Sequence, residues 1–330
     1  MPLEALRYDL TPTGLHYLLA HWDIPAVEPD GWRLRVDGLV GSRVELTLEE
    51  IRARPRLSLP VTLECAGNGR ARLRPRPVSQ PWLLEAIGTA EWTGTPLRLL
   101  LEEVGIESGA TEVVFTGVDR GIQGGEEQGY ARSLRLADAL RSEVLLAYEM
   151  NGEPLQPQHG FPLRLVVPGW YGMASVKWLA SIELVAEPFL GFQQEEAYRY
   201  QRDAADPGSA VTRMRPRALM IPPGIPDFYT RRRFLGAGPI DLEGRAWSGH
   251  GDVVRVEVGV DGRWSEATLD RPVGQFAWRR WACTWEATVG AHELSCRATD
   301  AGGNVQPVEQ PWNYQGMGNN LVQRVAVTVR

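Results

Sequence analysis

The residues best suited to chemistry stand at positions 61–70, where the apolar, β-branched run Val61-Thr62-Leu63-Glu64 ends on Cys65 and Ala66-Gly67-Asn68-Gly69-Arg70 follows. Small, turn-permissive residues after the cysteine let backbone approach another group closely. The pattern predicts a strand that presents Cys65 at its end, with Arg70 five residues on to hold negative charge nearby. A thiolate so placed suits metal ligation or nucleophilic attack. The same residues also fit an ordinary core cysteine closing a strand.

A second group lies at residues 159–177. Arg164 interrupts the apolar run 163–167, so its side chain must leave the face its neighbours share and find a partner, for which a phosphate is suited. His159 precedes Gly160-Phe161-Pro162, a turn that fixes its ring; taken alone it fits a structural role as well as a ligand role. Lys177 is the only lysine in the chain, every other cation counted with it being arginine. An arginine bias is a genomic or thermal habit. Against it, one lysine points to a position that needs a compact ammonium with three donors. Together Arg164, His159 and Lys177 read as a site for an anionic group.

Cys65-Ala66-Gly67-Asn68, the segment 159–164 and the segment 172–179 resemble, in order and spacing, the sulfite oxidase family of molybdenum enzymes. The resemblance covers roughly residues 9–326. It implies a molybdenum–molybdopterin cofactor, a pyranopterin dithiolene with a terminal phosphate. Cys65 would be the metal ligand, and His21, Asp119, His159, Arg164, Ser175 and Lys177 the cofactor-binding residues. Tyr198, with Tyr200 close by, and Arg70 would be the catalytic pair. The implied activity is two-electron oxo transfer, with sulfite to sulfate as the first expectation and a small anionic or oxo-bearing substrate in general. The protein's share of such chemistry is positioning and electrostatics.

Departures from the family pattern bear on the substrate. Leu19 and Ala20 stand where an arginine and an asparagine are usual, Gly69 replaces a basic residue, and Gln315 stands where another arginine is expected. Each lost guanidinium removes a contact of about 1.5–3 kcal/mol. That favours a larger or neutral substrate, a sulfoxide or N-oxide, as the alternative to sulfite. Two rival readings are a non-catalytic scaffold and a thiol hydrolase built on Cys65 and His159.

The elements that must position these residues read as follows. Residues 9–30 read as extended chain; 32–40, 111–118, 143–149 and 163–167 read as strands. Thr47 with Glu50 three residues later marks a short helix start, 96–104 an amphipathic helix and 136–140 another short helix. Residues 82–92 read as a Gly-interrupted connection and 123–130 as a flexible loop. After an irregular crossing at 187–226, short strands recur at 240–247, 253–260, 277–286, 291–300 and 323–329. The expected fold is α+β: a sulfite-oxidase-type molybdopterin-binding domain over 1–205, then an immunoglobulin-like antiparallel β-sandwich of dimerisation type over 206–330. A homodimer follows from the resemblance.

With 330 residues, 43% hydrophobic content and twelve tryptophans, the chain can build real cores, and 35 glycines with 24 prolines favour a turn-rich β chain. A net charge of −6 with scattered arginines argues against nucleic acid. Cys65, Cys283 and Cys296 give no disulfide framework; the last two are placed across a hairpin near Val289-Gly290-Ala291 as reduced core thiols. No apolar run nears the roughly 20 residues of a membrane span, and no leader pattern opens the chain, so a cytoplasmic location is expected. No haem-attachment motif is present, so electrons would pass to an external acceptor such as a cytochrome.

Overall fold

The computed structural model describes residues 1–309 and 311–330. Contacts divide the chain into two units that are interleaved in sequence: Met1–His16, Pro60–Thr89 and Arg213–Arg330 form one, Tyr17–Leu59 and Ala90–Thr212 the other. Two of the four boundaries fall inside strands, Leu57–Glu64 and Ile87–Pro96.

The unit containing Tyr17–Leu59 is built on a five-stranded sheet ordered Val44–Leu46, Leu34–Gly38, Leu179–Val185, Glu112–Gln123, Glu126–Arg135. Its Leu34–Gly38 and Leu179–Val185 strands are parallel, with Val36 opposite Ile182. Two residues far apart in sequence thereby meet as fully buried neighbours. A second sheet pairs Trp92 with Met150 and Leu145 with Val166. Thr47 caps the helix Leu48–Arg52 through a reciprocal capping box with Glu50. The helix Leu97–Val104 buries Leu97, Leu100, Leu101 and Val104, one stripe of a 3.6-residue period.

In the other unit a four-stranded sheet (Arg217–Met220, Gly238–Trp247, Arg279–Ala287, Thr268–Leu269) and a six-stranded sheet share one core. The six-stranded order is Ile225–Pro226, Arg233–Leu235, Gln323–Val329, Gly290–Asp300, Val253–Val260, Arg263–Glu266. Met220, Leu242, Val256, Trp281, Leu294 and Cys296 lie at the centre of that core. Pairing is antiparallel except between Arg233–Leu235 and Gln323–Val329, which run parallel.

The architecture is mostly β, as the composition led one to expect: among the described residues the α-helices are few and the longest is Leu97–Val104. The structure corrects several other expectations. Residues 126–130 are not loop but the start of the strand Glu126–Arg135, which pairs with Glu112–Gln123 through a turn on Gly124 and Gly125 at positive φ. Its outer part is exposed and charged, so no apolar alternation marks it. Residues 87–92 are strand instead of connection; Gly88 is tolerated because His16 packs where a side chain would stand, its Cδ2 lying 2.5 Å from an ideal Cβ. A short 3-10 turn, Thr13–Leu15, interrupts the extended N-terminal segment. Cys283 and Cys296 do not face each other across a hairpin, because their strands belong to different sheets; both thiols are free.

Candidate cofactor and substrate residues

His21, Asp119, His159, Arg164, Ser175, Lys177 and Tyr198 all belong to the unit that contains Tyr17–Leu59. Arg164 begins the strand Arg164–Val166 and is buried. Its guanidinium donates to the backbone oxygens of His159 at 3.0 Å and Ser175 at 3.1 Å, and lies 4.6 Å from the Trp92 ring centroid. Burial lowers its pKa to about 10. Gly160, at φ 106°, closes the 3-10 turn that carries His159, and a Cβ there would stand 3.1 Å from Cβ of both Arg164 and Lys177. Only glycine lets these two cations approach one turn so closely.

Lys177 donates to the carbonyls of Leu19 at 2.8 Å and Gln158 at 3.1 Å, with Nζ 4.0 Å from the Trp178 ring centroid. Burial first, and the Arg164 charge second, lower its pKa to about 7. Hydrogen bonds from both cations go to neutral backbone oxygens, and the carboxyl acting on Lys177 is that of Asp119, itself held toward its neutral form by burial. Asp119 is buried, its Oδ1 has no hydrogen-bond partner, and burial raises its pKa to about 6. Ser175 accepts a hydrogen bond on Oγ from the Val167 amide at 3.1 Å, so its side chain fixes the strand end. His21 Nε2 lies 3.1 Å from the Tyr198 hydroxyl, and burial with the nearby Lys177 charge lowers the imidazole to about 4.

Cys65 and Arg70 belong to the other unit. Cys65 is buried, not presented at a surface as the strand-end reading expected: its amide donates to Ala86 at 2.9 Å and its carbonyl accepts from Asn68 at 2.9 Å, which curls the loop inward. Burial pushes the thiol pKa up, while the Gly67 amide and the Arg70 charge pull it back. Arg70 is also buried. Its Nε donates to the Gln315 carbonyl at 2.7 Å, Nη1 to Ser79 Oγ at 2.8 Å, and Nη2 to Met317 Sδ at 3.3 Å. Gln315 thus meets Arg70 through its backbone. Arg72 is half-buried with Nη1 unpartnered, whereas Arg74 is exposed.

Sequence reasoning missed the supports of these residues. Glu64, directly before Cys65, accepts from Arg217 Nη1, Asn68 Nδ2 and Trp247 Nε1. Trp92 lies beneath Arg164, and buried Arg132 donates to the Gln193 carbonyl with its Cζ 5.6 Å from the Tyr198 ring centroid. A charge inside a buried strand signals that a partner must exist. Which residue supplies it is a tertiary fact.

Two family models match the chain: the oxidoreductase molybdopterin binding domain over residues 21–193 and the Mo-co oxidoreductase dimerisation domain over residues 229–330. The chain belongs to the sulfite oxidase family of molybdopterin-dependent oxidoreductases. It is 36% identical to the mitochondrial sulfite oxidase of Homo sapiens, over 99% of this chain and 63% of that protein. With the sulfite oxidase of Gallus gallus it shares 38% identity, over 93% of this chain and 71% of that protein. It is 32% identical to the NADH nitrate reductase of Solanum lycopersicum, over 99% of this chain and 40% of that protein. The chain therefore spans about two thirds or less of the length of several relatives it matches. Among solved structures, the sulfane dehydrogenase SoxCD of Paracoccus pantotrophus is similar over 100% of this chain and 86% of that chain, with TM-score 0.86 and 26% identity.

Molybdenum–molybdopterin is the cofactor of this family, and the donors present here fit it. Buried Arg164 and Lys177, satisfied only by neutral oxygens, suit an anionic phosphate, and the orphaned Asp119 Oδ1 suits a hydrogen-bond donor of a heterocycle. Among the described residues no group of three or more His, Cys, Asp or Glu side chains forms a metal cage. A single protein sulfur, that of Cys65, would suit a metal whose remaining soft ligands arrive with the cofactor.

Membrane insertion is not suggested by any helix: among the described residues none is long and apolar enough to cross a membrane.

Proposed function

We propose that this protein catalyses two-electron oxo transfer, with sulfite to sulfate as the reaction. Sulfite and water yield sulfate, two protons and two electrons, and the electrons pass to an external acceptor such as a cytochrome. When bound, the cofactor supplies a redox metal able to exchange oxygen with substrate and to hold an electron pair.

The protein's residues do the rest. Cys65 would anchor the metal, and the buried loop around it keeps that sulfur out of water. Arg164 and Lys177 would hold the terminal phosphate, with His21, Asp119, His159 and Ser175 completing the cofactor contacts. Tyr198 would offer its hydroxyl to an oxygen near the metal, positioned by its 3.1 Å contact with His21 Nε2; His21, lowered to about 4, stays neutral at pH 7 and would orient that hydroxyl without taking its proton. Arg70 would receive the substrate's oxygens. Residues 1–205 would carry the cofactor, and residues 206–330, read as an immunoglobulin-like sandwich, would join two copies in a homodimer.

The observation carrying this reading is the pair of buried cations, Arg164 and Lys177, given only neutral backbone acceptors. A folded chain rarely buries two charges so unless a bound anion completes them. The same cofactor acting on a sulfoxide or N-oxide is a second reading, favoured by Leu19 and Gln315 at the departures from the family's arginine pattern.

The deciding test is molybdenum content together with the absorption spectrum before and after sulfite, on protein made in a cofactor-producing host. Stoichiometric metal and bleaching by sulfite are expected. Metal without a sulfite response moves the reaction to another oxo donor or acceptor, and absence of metal refutes the reading.

A further inference from the structure

A buried cation stands beside Tyr198, outside the motifs at 61–70, 159–164 and 172–179. Arg132 lies on the strand Glu126–Arg135 and is 2% exposed. Tyr130, two residues earlier, is buried on the same face. The two side chains reach one cluster: the Tyr130 ring packs 4.8 Å from that of His21, and Arg132 Cζ stands 5.6 Å from the Tyr198 ring centroid. His21 and Tyr198 themselves meet at 3.1 Å.

The charge is costly as it stands. Arg132 Nη1 donates to the Gln193 carbonyl, whereas Nε, also buried, has no hydrogen-bond partner. Burial lowers its pKa; the groups that favour its charge are Tyr130, then Tyr198, then Glu195. Glu195 Oε2 already accepts from Arg199 Nη1 at 2.9 Å. A buried guanidinium with one neutral acceptor and aromatic neighbours is incompletely compensated, and an anion nearby relieves it. Its seat is built: Gln193, 1% exposed, donates through Nε2 to Gln123 Oε1 at 2.7 Å, which fixes the carbonyl that receives Arg132.

Leu19 shows what such a cation offsets. Its carbonyl accepts from Lys177 Nζ at 2.8 Å, so residue 19 stands at the site, two residues before His21, while its side chain brings no charge. We propose that Arg132 is a specificity-determining residue: from the Tyr198 side it supplies the positive charge that Leu19 lacks, and so lets the pocket take an oxyanion such as sulfite. The guanidinium favours an anion that accepts from the Tyr198 hydroxyl, and its ring contact holds that hydroxyl in place. The inference rests on the reading that Tyr198 borders the substrate.

The test is equilibrium binding of sulfate to the holoenzyme by calorimetry, comparing the parent with Arg132→Gln and Arg132→Lys. Glutamine keeps a donor for the Gln193 carbonyl and removes the charge; lysine keeps the charge and loses the planar fork. Sulfate should bind about 10-fold more weakly to R132Q, the low end for a lost charged contact, and within about 3-fold of the parent to R132K. Equal affinity in R132Q and the parent, an equal loss in R132Q and R132K, or no sulfate binding by the parent would overturn the proposal. An equal loss is what a purely structural arginine gives. Should R132Q fail to fold, Arg132→Met removes the same charge and decides the matter. Sulfate binding needs no turnover, so the two readings fail separately. Weaker sulfate binding in R132Q, from a parent that does not oxidise sulfite, rejects sulfite as substrate and keeps Arg132. Sulfite oxidation by a parent whose sulfate affinity R132Q leaves unchanged does the reverse.

Discussion

Arg217 donates to Glu64 directly beneath the cysteine loop, in an ion pair whose side chains are 2% and 1% exposed. Glu64 also accepts from Trp247 Nε1 at 2.9 Å and Asn68 Nδ2 at 3.0 Å, so both carboxylate oxygens are satisfied. Asn68 in turn accepts on Oδ1 from the Ala86 amide at 3.2 Å. The residue before Cys65 and the third residue after it are therefore locked to the same charge.

Breaking that pair from one side leaves an uncompensated buried charge, which typically costs 3–5 kcal/mol. Glu64→Gln should lower the unfolding free energy by roughly that amount. Replacing both, Glu64→Gln with Arg217→Met, should recover much of the loss. Denaturant titrations arranged as a double-mutant cycle measure the coupling, and additive losses would show that the pair does not act as a unit.

Through Lys177 the stability of the cofactor-free protein should rise with pH from about 7 to about 9, above which the thiols of Cys65, Cys283 and Cys296, all raised by burial, oppose it. Lys177 is lowered to about 7 in the folded chain and returns to its ordinary 10.5 on unfolding, so through that window the unfolded state binds the extra proton. At lower pH two groups oppose each other. Asp119, raised to about 6, makes stability fall as pH climbs from about 4, whereas His21, lowered to about 4, makes it rise over the same range. Urea midpoints from pH 7 to about 9 should therefore flatten in Lys177→Met, and a retained slope would assign the effect to another group.

Gly69 is at φ 90°, and a Cβ there would lie 2.9 Å from the Asn319 carbonyl oxygen. Gly69→Ala should cost about 1–3 kcal/mol from the backbone conformation alone. Thermal unfolding measures it, and a neutral result would mean the loop shifts away from Asn319.

Tyr198→Phe removes the hydroxyl that meets His21 Nε2 at 3.1 Å. On the proposed mechanism turnover should fall about 10- to 100-fold, the worth of one strong hydrogen bond in the transition state. Stopped-flow reduction by sulfite separates this from slower reoxidation by the acceptor.

Much of this was legible beforehand, and the reasons are local. The capping pair Thr47 and Glu50, and the stripe Leu97, Leu100, Leu101 and Val104, are short-range codes, and both helices form where those codes place them. Strands with alternating or continuous apolar runs, such as Val253–Val260 and Gln323–Val329, were likewise marked by their own side chains. The strand Glu126–Arg135 was not, because its first residues are exposed and its pairing comes from the facing strand. The placing of Cys283 and Cys296 across one hairpin failed for a related reason, although both thiols are free as expected: adjacency in sequence does not say that two strands share a sheet.

For the site, residue type and spacing alone singled out Cys65, Arg164 and the sole lysine, Lys177: a cysteine followed by small, turn-permissive residues can be presented to a metal, and a charge in an apolar run is costly unless it is paired. Only the tertiary structure decided what each one touches. The neutral oxygens around Arg164 and Lys177, the Glu64–Arg217 pair behind Cys65 and the Met317 sulfur on Arg70 all join residues distant along the chain. A sequence states that a buried charge must be satisfied; the partner is selected by packing, which depends on every strand and turn at once.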